Sequence, residues 1–408
     1  MAAMPGDPPP LRHARSLLAE APLIDGHNDL LWEARLQAGY DFAALDIAGR
    51  VATTRTDLPR LAEGGVGGQF WSVFVPGTLQ AEAAVVATLE QVDAAHHMIA
   101  TYADRLALAR TAEEVQDATA AGRIASLLGA EGGHSIGCSL GVLRLLHVLG
   151  VRYLTLTHNE NVPWADSATD VPAVGGLTAF GREVVREMNR LGMVVDLSHV
   201  APTTMRAALA TSEAPVIFSH SSARAVCDSP RNVPDDVLAA LRDNGGVCMV
   251  TFVPEFLSPA AAQWRLEAAT AAEEVGVDPK DWVAFSTFAA AYAERRPKPP
   301  ATIEQVVAHV EHVRDVAGID AVGIGGDYDG TDTFPVGLED VSGYPRLVAA
   351  LVERGWSDAD LRRLVRDNTL RVLRDVEAVA RDAQQRRSPS RHTWAELDGG
   401  RAGWTGRR

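Results

Sequence analysis

Histidines and acidic residues recur where short apolar runs of this sequence end. The first run leads into Asp25-Gly26-His27-Asn28-Asp29, which sets an imidazole and a carboxylate two residues apart. Side chains alternate along a strand, so both groups would lie on the same side and could bind one ion. Taken alone, the His-x-Asp pair carries little weight, because short motifs of this kind often arise by chance.

Three further run ends supply the same kinds of side chain. Glu131 follows the third apolar run, His199 the fifth and His220 the sixth. Imidazole and carboxylate ligands suit zinc, and they also suit manganese or cobalt. The alternative is a separate hydrogen-bonded role for each residue at the rim of a barrel, which their joint occurrence disfavours. The pattern therefore predicts a metal-dependent hydrolase.

The number of candidate ligands predicts two ions. A single catalytic zinc takes only about three protein ligands, and two ions about 3.5–4 Å apart need a bridging ligand. A carboxylated lysine is one known bridge, but the two lysines, Lys280 and Lys298, do not lie at run ends. The two oxygens of a glutamate can bridge instead. The predicted zinc ligands are His27, Asp29 and Glu131 for one ion and Glu131, His199 and His220 for the other.

Three more residues are candidates for catalysis and substrate binding. A hydroxide shared by the two ions would be the nucleophile, and Asp327 could pass its proton to the leaving group. His158 could stabilise a developing oxyanion, and Arg231 could clamp a substrate carboxylate. From the residues alone, a turn role for Asp327, a capping or buried role for His158 and a surface ion pair for Arg231 stay open.

The elements that must position these residues alternate between short apolar runs and helical patterns. The runs are Pro22–Asp25, Gln69–Val75, Ile124–Ala130, Tyr153–Thr157, Met193–Asp196, Pro215–Ser219, Val247–Phe252 and Ala321–Gly325. Apolar runs separated by helices are typical of parallel strands buried on both faces. The pattern predicts a (β/α)8 barrel with the metal site at the C-terminal ends of its strands. An open doubly wound sheet is the alternative, but the sequence lacks its early glycine-rich phosphate-binding turn.

We expect a single domain with loose ends. The Pro-rich residues 1–12 are predicted to be disordered, residues 13–383 to form the metallohydrolase domain, and residues 384–408 to form a tail. The long connection from Val253 to Asp320, between the seventh and eighth runs, has several helical segments. We expect this insertion to form part of a substrate lid.

Composition restricts the partners and the compartment. The net charge is −15 without a basic cluster, which argues against nucleic acid and anionic membranes as partners. The three cysteines form no CxxC pair, and no apolar run is long enough to span a bilayer. These features predict a reducing, cytoplasmic location. A homodimer is the expectation for a barrel of this kind.

Seven segments together resemble those of the membrane dipeptidase family, also called renal dipeptidase or peptidase family M19. They are LIDGHNDLLW, GAEGGHSIG, RYLTLTHNENVPWAD, GMVVDLSHV, APVIFSHSSAR, SPRNVPDDVL and GIGGDYDG. The segments lie between Leu23 and Gly330, and the resemblance as a whole extends from about Pro22 to Asp375, which is most of the chain. The joint occurrence of seven segments in this order makes the resemblance specific.

The resemblance implies a (β/α)8 barrel with two zinc ions on the five ligands named above. It also implies substrate and oxyanion roles for His158, carboxylate binding by Arg231, and substrate binding with proton transfer by Asp327. The family hydrolyses dipeptides, often with a D-residue at the C-terminal position, and some members open β-lactam rings. Without a signal, paired cysteines or an apolar C-terminal tail, this chain resembles a bacterial cytoplasmic member.

One position departs from the family, and two other functions stay open. Animal members have a substrate-contacting tyrosine after the seventh strand, where this chain reads Thr251-Phe252-Val253-Pro254. The alternatives are another two-metal hydrolase of small-molecule amides, lactones or β-lactams, and a barrel that binds ligands without turnover. The complete ligand set and Asp327 argue against a mere binder. Arg231 favours a dipeptide, because a lactone offers it no free carboxylate.

Overall fold

The computed structural model describes residues 6–79, 81–279 and 282–399. Its strands are β1 (Leu23–Asn28), β2 (Val66–Phe74), β3 (Leu106–Leu108), β4 (Ile124–Glu131), β5 (Val151–Thr155), β6 (Val194–Asp196), β7 (Ile217–Phe218), β8 (Val247–Val250) and β9 (Val322–Ile324). All of their pairings are parallel.

Helices separate and surround these strands. They are α1 (Pro9–Glu20), α2 (Leu30–Ala38), α3 (Leu58–Gly64), α4 (Ala81–Thr101), α5 (Ala112–Ala120), α6 (Leu140–Val148), α7 (Ala179–Leu191), α8 (Pro202–Leu209), α9 (Asp235–Asn244), α10 (Pro254–Leu257), α11 (Pro259–Glu274), α12 (Trp282–Arg295), α13 (Ile303–Ala317), α14 (Tyr344–Glu353), α15 (Asp358–Arg362), α16 (Asn368–Arg386) and α17 (Trp394–Asp398). Within the described ranges, no helix combines the length and apolar character needed to cross a membrane.

Eight of the nine strands close into a barrel. The order around it is β2-β1-β9-β8-β7-β6-β5-β4, and β2 pairs with β4 to complete the circle. In that closing pair Gly68 lies opposite Ala125 and Phe74 lies opposite Glu131. The predicted (β/α)8 fold is confirmed, and each predicted apolar run overlaps a barrel strand.

The ninth strand, β3, was not predicted. It pairs Leu106–Leu108 with Ile124–Ser126 at the start of β4, before the stretch from Leu128 onward that pairs with β5. Three residues are too few to show a strand period, so nothing in the sequence separates β3 from a loop. It extends the sheet outside the closed circle.

Both faces of the barrel strands are buried, as their apolar sequences predict. Ile24, Leu127 and Met249 belong to one cluster of buried residues, while their neighbours Leu23 and Leu128 pack in the larger cluster with the helices. Each such side chain contributes roughly 1.5–3 kcal/mol when fully buried. Packing on two sides holds the strands, and hence the side chains at their ends, in fixed positions.

Gly129 on β4 makes room for a tyrosine in the barrel. It lies opposite Tyr153 of β5, and a Cβ at position 129 would overlap the tyrosine ring. The ring therefore crosses β4 and brings its hydroxyl to 2.8 Å from Nδ1 of His27 on β1. A glycine in the middle of a strand thus connects barrel packing to the position of a candidate ligand.

The start of the chain is more ordered than expected. The prediction of disorder over residues 1–12 is wrong from Pro9 onward, where α1 begins with proline at its first positions. Proline has a backbone angle suited to the first turn of a helix, so a Pro-rich start is compatible with helix. Leu17 and Leu18 of α1 are buried, and the helix packs against α14. Residues 1–5 lie outside the described residues.

Part of the predicted C-terminal tail also packs on the barrel. α16 continues to Arg386, and α17 follows within the segment predicted to be loose. The carboxylate of Asp398 accepts a 2.7 Å hydrogen bond from the Thr178 hydroxyl at the start of α7. Residues 400–408 lie outside the described residues. The division into one domain over 13–383 stays a prediction.

The predicted helical insertion lies between β8 and β9, the seventh and eighth barrel strands. It contains α10, α11 and α12, followed by α13 on the outside of the barrel. α11 and α12 form a small core of their own, centred on Trp264 and Phe285. α10 contributes Phe256, whose ring lies 5.1 Å from the guanidinium carbon of Arg231. The insertion therefore reaches one of the predicted substrate-binding residues.

Candidate metal centre

The five predicted ligands converge at the C-terminal ends of the barrel strands. His27 is the next-to-last residue of β1, and Glu131 is the last residue of β4. Asp29 occupies the N-cap position of α2, directly after β1. His199 and His220 follow β6 and β7 in the loops that lead to the next helices. All five side chains are buried.

The carboxylate of Glu131 stands at the centre of this group. Its Oε2 lies 3.3 Å from Nε2 of His27, which in turn lies 3.2 Å from Oδ2 of Asp29. Its Oε1 lies 3.0 Å from Nε2 of His199 and 3.4 Å from Nε2 of His220. The two oxygens of one carboxylate thus face two different sets of side chains, as a bridging ligand must.

The arrangement of the donor atoms suits bound cations better than hydrogen bonds among the side chains themselves. The Nε2 atoms of His199 and His220 lie only 2.9 Å apart, and both face the same oxygen of Glu131. Nε2 of His27 is buried and has no hydrogen-bond partner in the described part of the chain. Imidazole nitrogens aimed at a shared carboxylate are the donor set that zinc and similar ions bind. The residues present therefore fit bound metal ions.

A hydrogen-bond chain behind His220 fixes which nitrogen faces the centre. The Ser219 hydroxyl donates to Oδ2 of Asp196 at 2.7 Å and lies 2.8 Å from Nδ1 of His220. With its one proton given to Asp196, the hydroxyl accepts from Nδ1–H of His220. Nε2 then carries the lone pair that a metal ion needs. Asp196 is itself fixed by Thr155 and by backbone N–H groups of Ser198 and Ser219.

The other side of the centre has its own supporting residues. Tyr153 holds Nδ1 of His27, and the Ser72 hydroxyl donates to Oε2 of Glu131 at 3.0 Å. The carboxylate of Asp25 accepts 3.0 Å bonds from the backbone N–H groups of His27 and Gly326, which connect the ends of β1 and β9. Sequence reasoning missed Tyr153 and Ser72 as site residues. Both residues lie in predicted strands, where other polar residues such as Gln69 and Thr155 occur as well, so the sequence did not single them out.

Burial and charge shift the pKa values of the acids in opposite directions. Burial works to raise the pKa of Glu131, but His27, His199 and His220 outweigh it and hold that pKa well below its usual range. Burial raises the pKa of Asp327 to about 8, and the nearby carboxylates of Asp29 and Glu131 add to the effect. Several buried carboxylates therefore lie close together with little positive charge between them. Bound cations would reduce their mutual repulsion.

Three residues of these loops have left-handed backbone conformations. The φ angles are 67° at His199, 61° at Asp327 and 66° at Asp329. Each such conformation costs roughly 1 kcal/mol or more in a residue other than glycine. The surrounding loops hold this strain, and its concentration at the ends of β6 and β9 marks the region as a functional site.

Asp327 and His158 both join the group, as predicted. Oδ1 of Asp327 lies 3.9 Å from Nε2 of His27, and the ligand atoms of His27, Asp29 and Asp327 all lie within 4.8 Å of one another. Nε2 of His158 lies 4.0 Å from Oε1 of Glu131. The His158 ring is only partly buried, and so it lines the open side of the centre.

Arg231 is buried beside the centre and is not a surface ion pair. Its guanidinium makes only long hydrogen bonds, at 3.4 Å to the Ser221 hydroxyl and 3.3 Å to the carbonyl oxygen of His220. Within residues 6–79, 81–279 and 282–399, no carboxylate lies within ion-pair distance of it. Burial lowers its pKa to about 10, which still leaves it charged at neutral pH. The buried guanidinium of Arg231 can therefore bind an anionic group.

Comparison with known proteins decides the family. Residues 11–387 match the model of a family described as membrane dipeptidase, peptidase family M19. The chain belongs to this family. It is a family of metal-dependent dipeptidases, so the sequence-based prediction of a metallo-dipeptidase is confirmed at that level.

Individual relatives agree with this assignment. The chain is 43% identical over 394 residues to human Dipeptidase 3, an alignment that covers 94% of this chain and 72% of the human protein. The probable dipeptidase PvdM from Pseudomonas aeruginosa has the same fold, with a TM-score of 0.79, 24% identity and coverage of 91% and 99% of the two chains. A metallopeptidase from Rhodobacter sphaeroides gives a TM-score of 0.72 at 28% identity, over 87% of this chain and 99% of its own.

The chain behind His220 yields a first prediction. Ser219→Ala removes the group that orients the His220 ring, and loss of such a supporting residue typically weakens metal binding about 10–100-fold. We expect the variant to release metal at a lower chelator concentration than the wild type while keeping its fold. Chelator titration with metal analysis measures this, and Ser357→Ala, at an exposed serine whose hydroxyl bonds Asp360, serves as a control. Equal metal retention by Ser219→Ala and wild type would contradict the role of this chain.

Proposed function

We propose that this protein is a two-zinc dipeptidase that cleaves the peptide bond of dipeptides. The observation that carries the proposal is the division of the Glu131 oxygens between His27 on one side and His199 with His220 on the other. His27, Asp29 and Glu131 would hold one ion, and Glu131, His199 and His220 the other. Two such ions supply Lewis acidity and an activated water as nucleophile.

The residues around the centre suit a substrate with charges at both ends. The buried Arg231 would bind the C-terminal carboxylate of the dipeptide through paired hydrogen bonds. The carboxylates of Asp29 and Asp327 form an acidic region that would receive the N-terminal ammonium. A longer peptide would lack one of these charges at the required distance. This pairing favours a dipeptide over a lactone or another small amide.

Two residues would act on the reacting atoms. Asp327, with Oδ1 3.9 Å from Nε2 of His27, would take the proton from the attacking water and give it to the leaving nitrogen. His158, on the open side of the centre, would stabilise the negative charge that develops on the carbonyl oxygen. Burial of Asp327 lowers the local dielectric and strengthens its electrostatic effect.

We further propose that a D-residue is accepted at the C-terminal position. The related Rhodobacter sphaeroides metallopeptidase was solved with a phosphinate mimic of the dipeptide L-Ala-D-Ala. Where animal members have a tyrosine, this chain has Val253, which is nearly buried. A smaller side chain at this position leaves the side-chain preference of the pocket to Phe256 and the rest of the insertion. A homodimer and a cytoplasmic location stay predictions from the sequence.

Metal analysis joined to a substrate screen tests the proposal. We expect about two zinc ions per chain, with turnover of L-Xaa-L-Xaa and L-Xaa-D-Xaa dipeptides that chelation abolishes. Manganese and cobalt reconstitution shows whether another ion supports turnover. The screen includes tripeptides, N-acetylated dipeptides, lactones and a β-lactam. Fewer than one ion per chain, or turnover of lactones without any dipeptide, would sink the proposal.

Asp327 provides a test of proton transfer. Asp327→Asn keeps the shape of the side chain but cannot accept the proton, so we expect kcat to fall by about 10²–10⁴-fold with metal still bound. Steady-state kinetics and metal analysis on the same preparation measure both quantities. Asp228→Asn is the matched control, because its side chain is 86% exposed. Turnover within two-fold of wild type would remove Asp327 from the reaction.

Arg231 provides a separate test of substrate binding. Arg231→Ala should raise KM for dipeptides by about 10–100-fold, the loss expected for a charge-assisted hydrogen bond. Arg231→Lys keeps the charge without the paired geometry, so an intermediate KM is expected. Arg206→Ala, which breaks an exposed ion pair with Asp236, controls for loss of a surface arginine. An unchanged KM in Arg231→Ala would place the substrate carboxylate elsewhere.

A further inference from the structure

A carboxylate that the proposed reaction does not use lies beside His158. Glu160 follows it by two residues in the loop after β5, and its Oε2 lies 3.9 Å from Nδ1 of His158. That oxygen is buried and has no hydrogen-bond partner among the described residues. A buried carboxylate oxygen without a partner is costly unless a nearby positive or donor group compensates it. His158 is the group placed to do so.

The loop after β2 is shaped to admit this carboxylate. Gly77 in that loop lies against Glu160, and a Cβ at position 77 would overlap the Oε2 atom. The φ angle of Gly77 lies outside the left-handed region, so glycine is required here by space rather than by backbone conformation. The same loop is fixed nearby, where Nε2–H of His134 donates to the carbonyl oxygen of Val75 at 2.9 Å. The space for Glu160 is therefore part of a fixed structure.

The charges around Glu160 favour its ionised form. Burial works to raise its pKa, but the contact with His158 outweighs it and holds the pKa below its usual range. His134, the other imidazole nearby, stays neutral at pH 7 because burial lowers its pKa to about 4. The negative charge of Glu160 is therefore directed to His158.

Ring packing sets the plane of His158 but not its orientation within that plane. Its ring lies 4.9 Å from the ring of Phe74 and 4.4 Å from that of His199, measured between centroids. Such packing would accept the imidazole flipped by 180°, which exchanges its nitrogens for carbons. A carboxylate on one side distinguishes the two orientations, because it attracts Nδ1–H and not a carbon edge.

We propose that Glu160 is the positioning residue whose charge, 3.9 Å from Nδ1 of His158, attracts that edge of the ring and so points Nε2 at the metal centre. In this orientation Nε2 lies 4.0 Å from Oε1 of Glu131. Glu160 touches neither the substrate nor the metal ligands in this arrangement, and it acts only through His158. The inference rests on the proposed function, because the role of His158 belongs to it.

Two different substitutions should produce the same defect. Glu160→Gln removes the charge and keeps the size of the side chain. Gly77→Ala keeps the charge but displaces the carboxylate, whose flexible end can move without disturbing the backbone. We expect each to lower kcat by about ten-fold, the low end of the effect of such supporting residues, with little change in KM. The double variant should be no slower than either single variant.

A double-mutant cycle with His158 separates positioning from a general structural effect. If Glu160 acts through His158, Glu160→Gln should lower kcat in the wild type and change nothing in a His158→Ala background. Gly49→Ala, at a glycine with open space around it, and Glu82→Gln, at an exposed glutamate, are the matched controls. Metal content and melting temperature, measured on every variant, should match the wild type.

The outcomes distinguish this inference from the function on which it rests. A wild-type chain without dipeptide turnover would overturn the proposed function and this inference together. With an active wild type, normal kcat in Glu160→Gln would overturn the inference alone. Equal losses from Glu160→Gln with and without His158 would also overturn it, because Glu160 would then act by another route. A loss of kcat from Glu160→Gln that occurs only when His158 is present supports the inference.

Discussion

The site depends on one buried carboxylate that contacts imidazoles on both sides. Glu131 ends β4, the strand that closes the barrel by pairing with β2 and that also pairs with β5. Hydrogen bonds to β2 and β5 therefore fix the end of β4 that carries Glu131. A buried negative charge with histidines at 3.0–3.4 Å is stable only when all partners keep their places. The chemistry of the site therefore requires a rigid barrel.

The supporting residues explain how the imidazoles are kept aimed at that carboxylate. Asp196 and Ser219 act behind His220, and Tyr153 acts behind His27. Tyr153 lies within β5, Asp196 ends β6 and Ser219 directly follows β7, so the supports come from the ends of the packed strands. Tyr153 reaches its place only because the facing residue is Gly129. Packing inside the barrel therefore sets the orientation of the ligand side chains at the metal centre.

The sequence predicted the barrel because apolar runs give a strong local signal, and it marked the five ligand candidates because each follows such a run; the roles of His158 and Arg231 came from the family resemblance, and all the site roles stay predictions. Apolar runs report burial, and a histidine or acid directly after a run reports a strand end. The supports had no comparable signal, because Ser72 and Tyr153 are recognisable only from partners distant in sequence, and the space that admits Glu160 depends on Gly77 in another loop. α1 was missed for a different reason, since proline favours both disordered segments and the first turn of a helix. β3 was missed because three residues show no period.

The left-handed conformations of His199 and Asp327 cost the fold some stability. Glycine at position 199 or 327 would relax the backbone and add stability, at the loss of the imidazole or the carboxylate. The fold therefore gives up stability at the ends of β6 and β9 in order to place an imidazole and a carboxylate there.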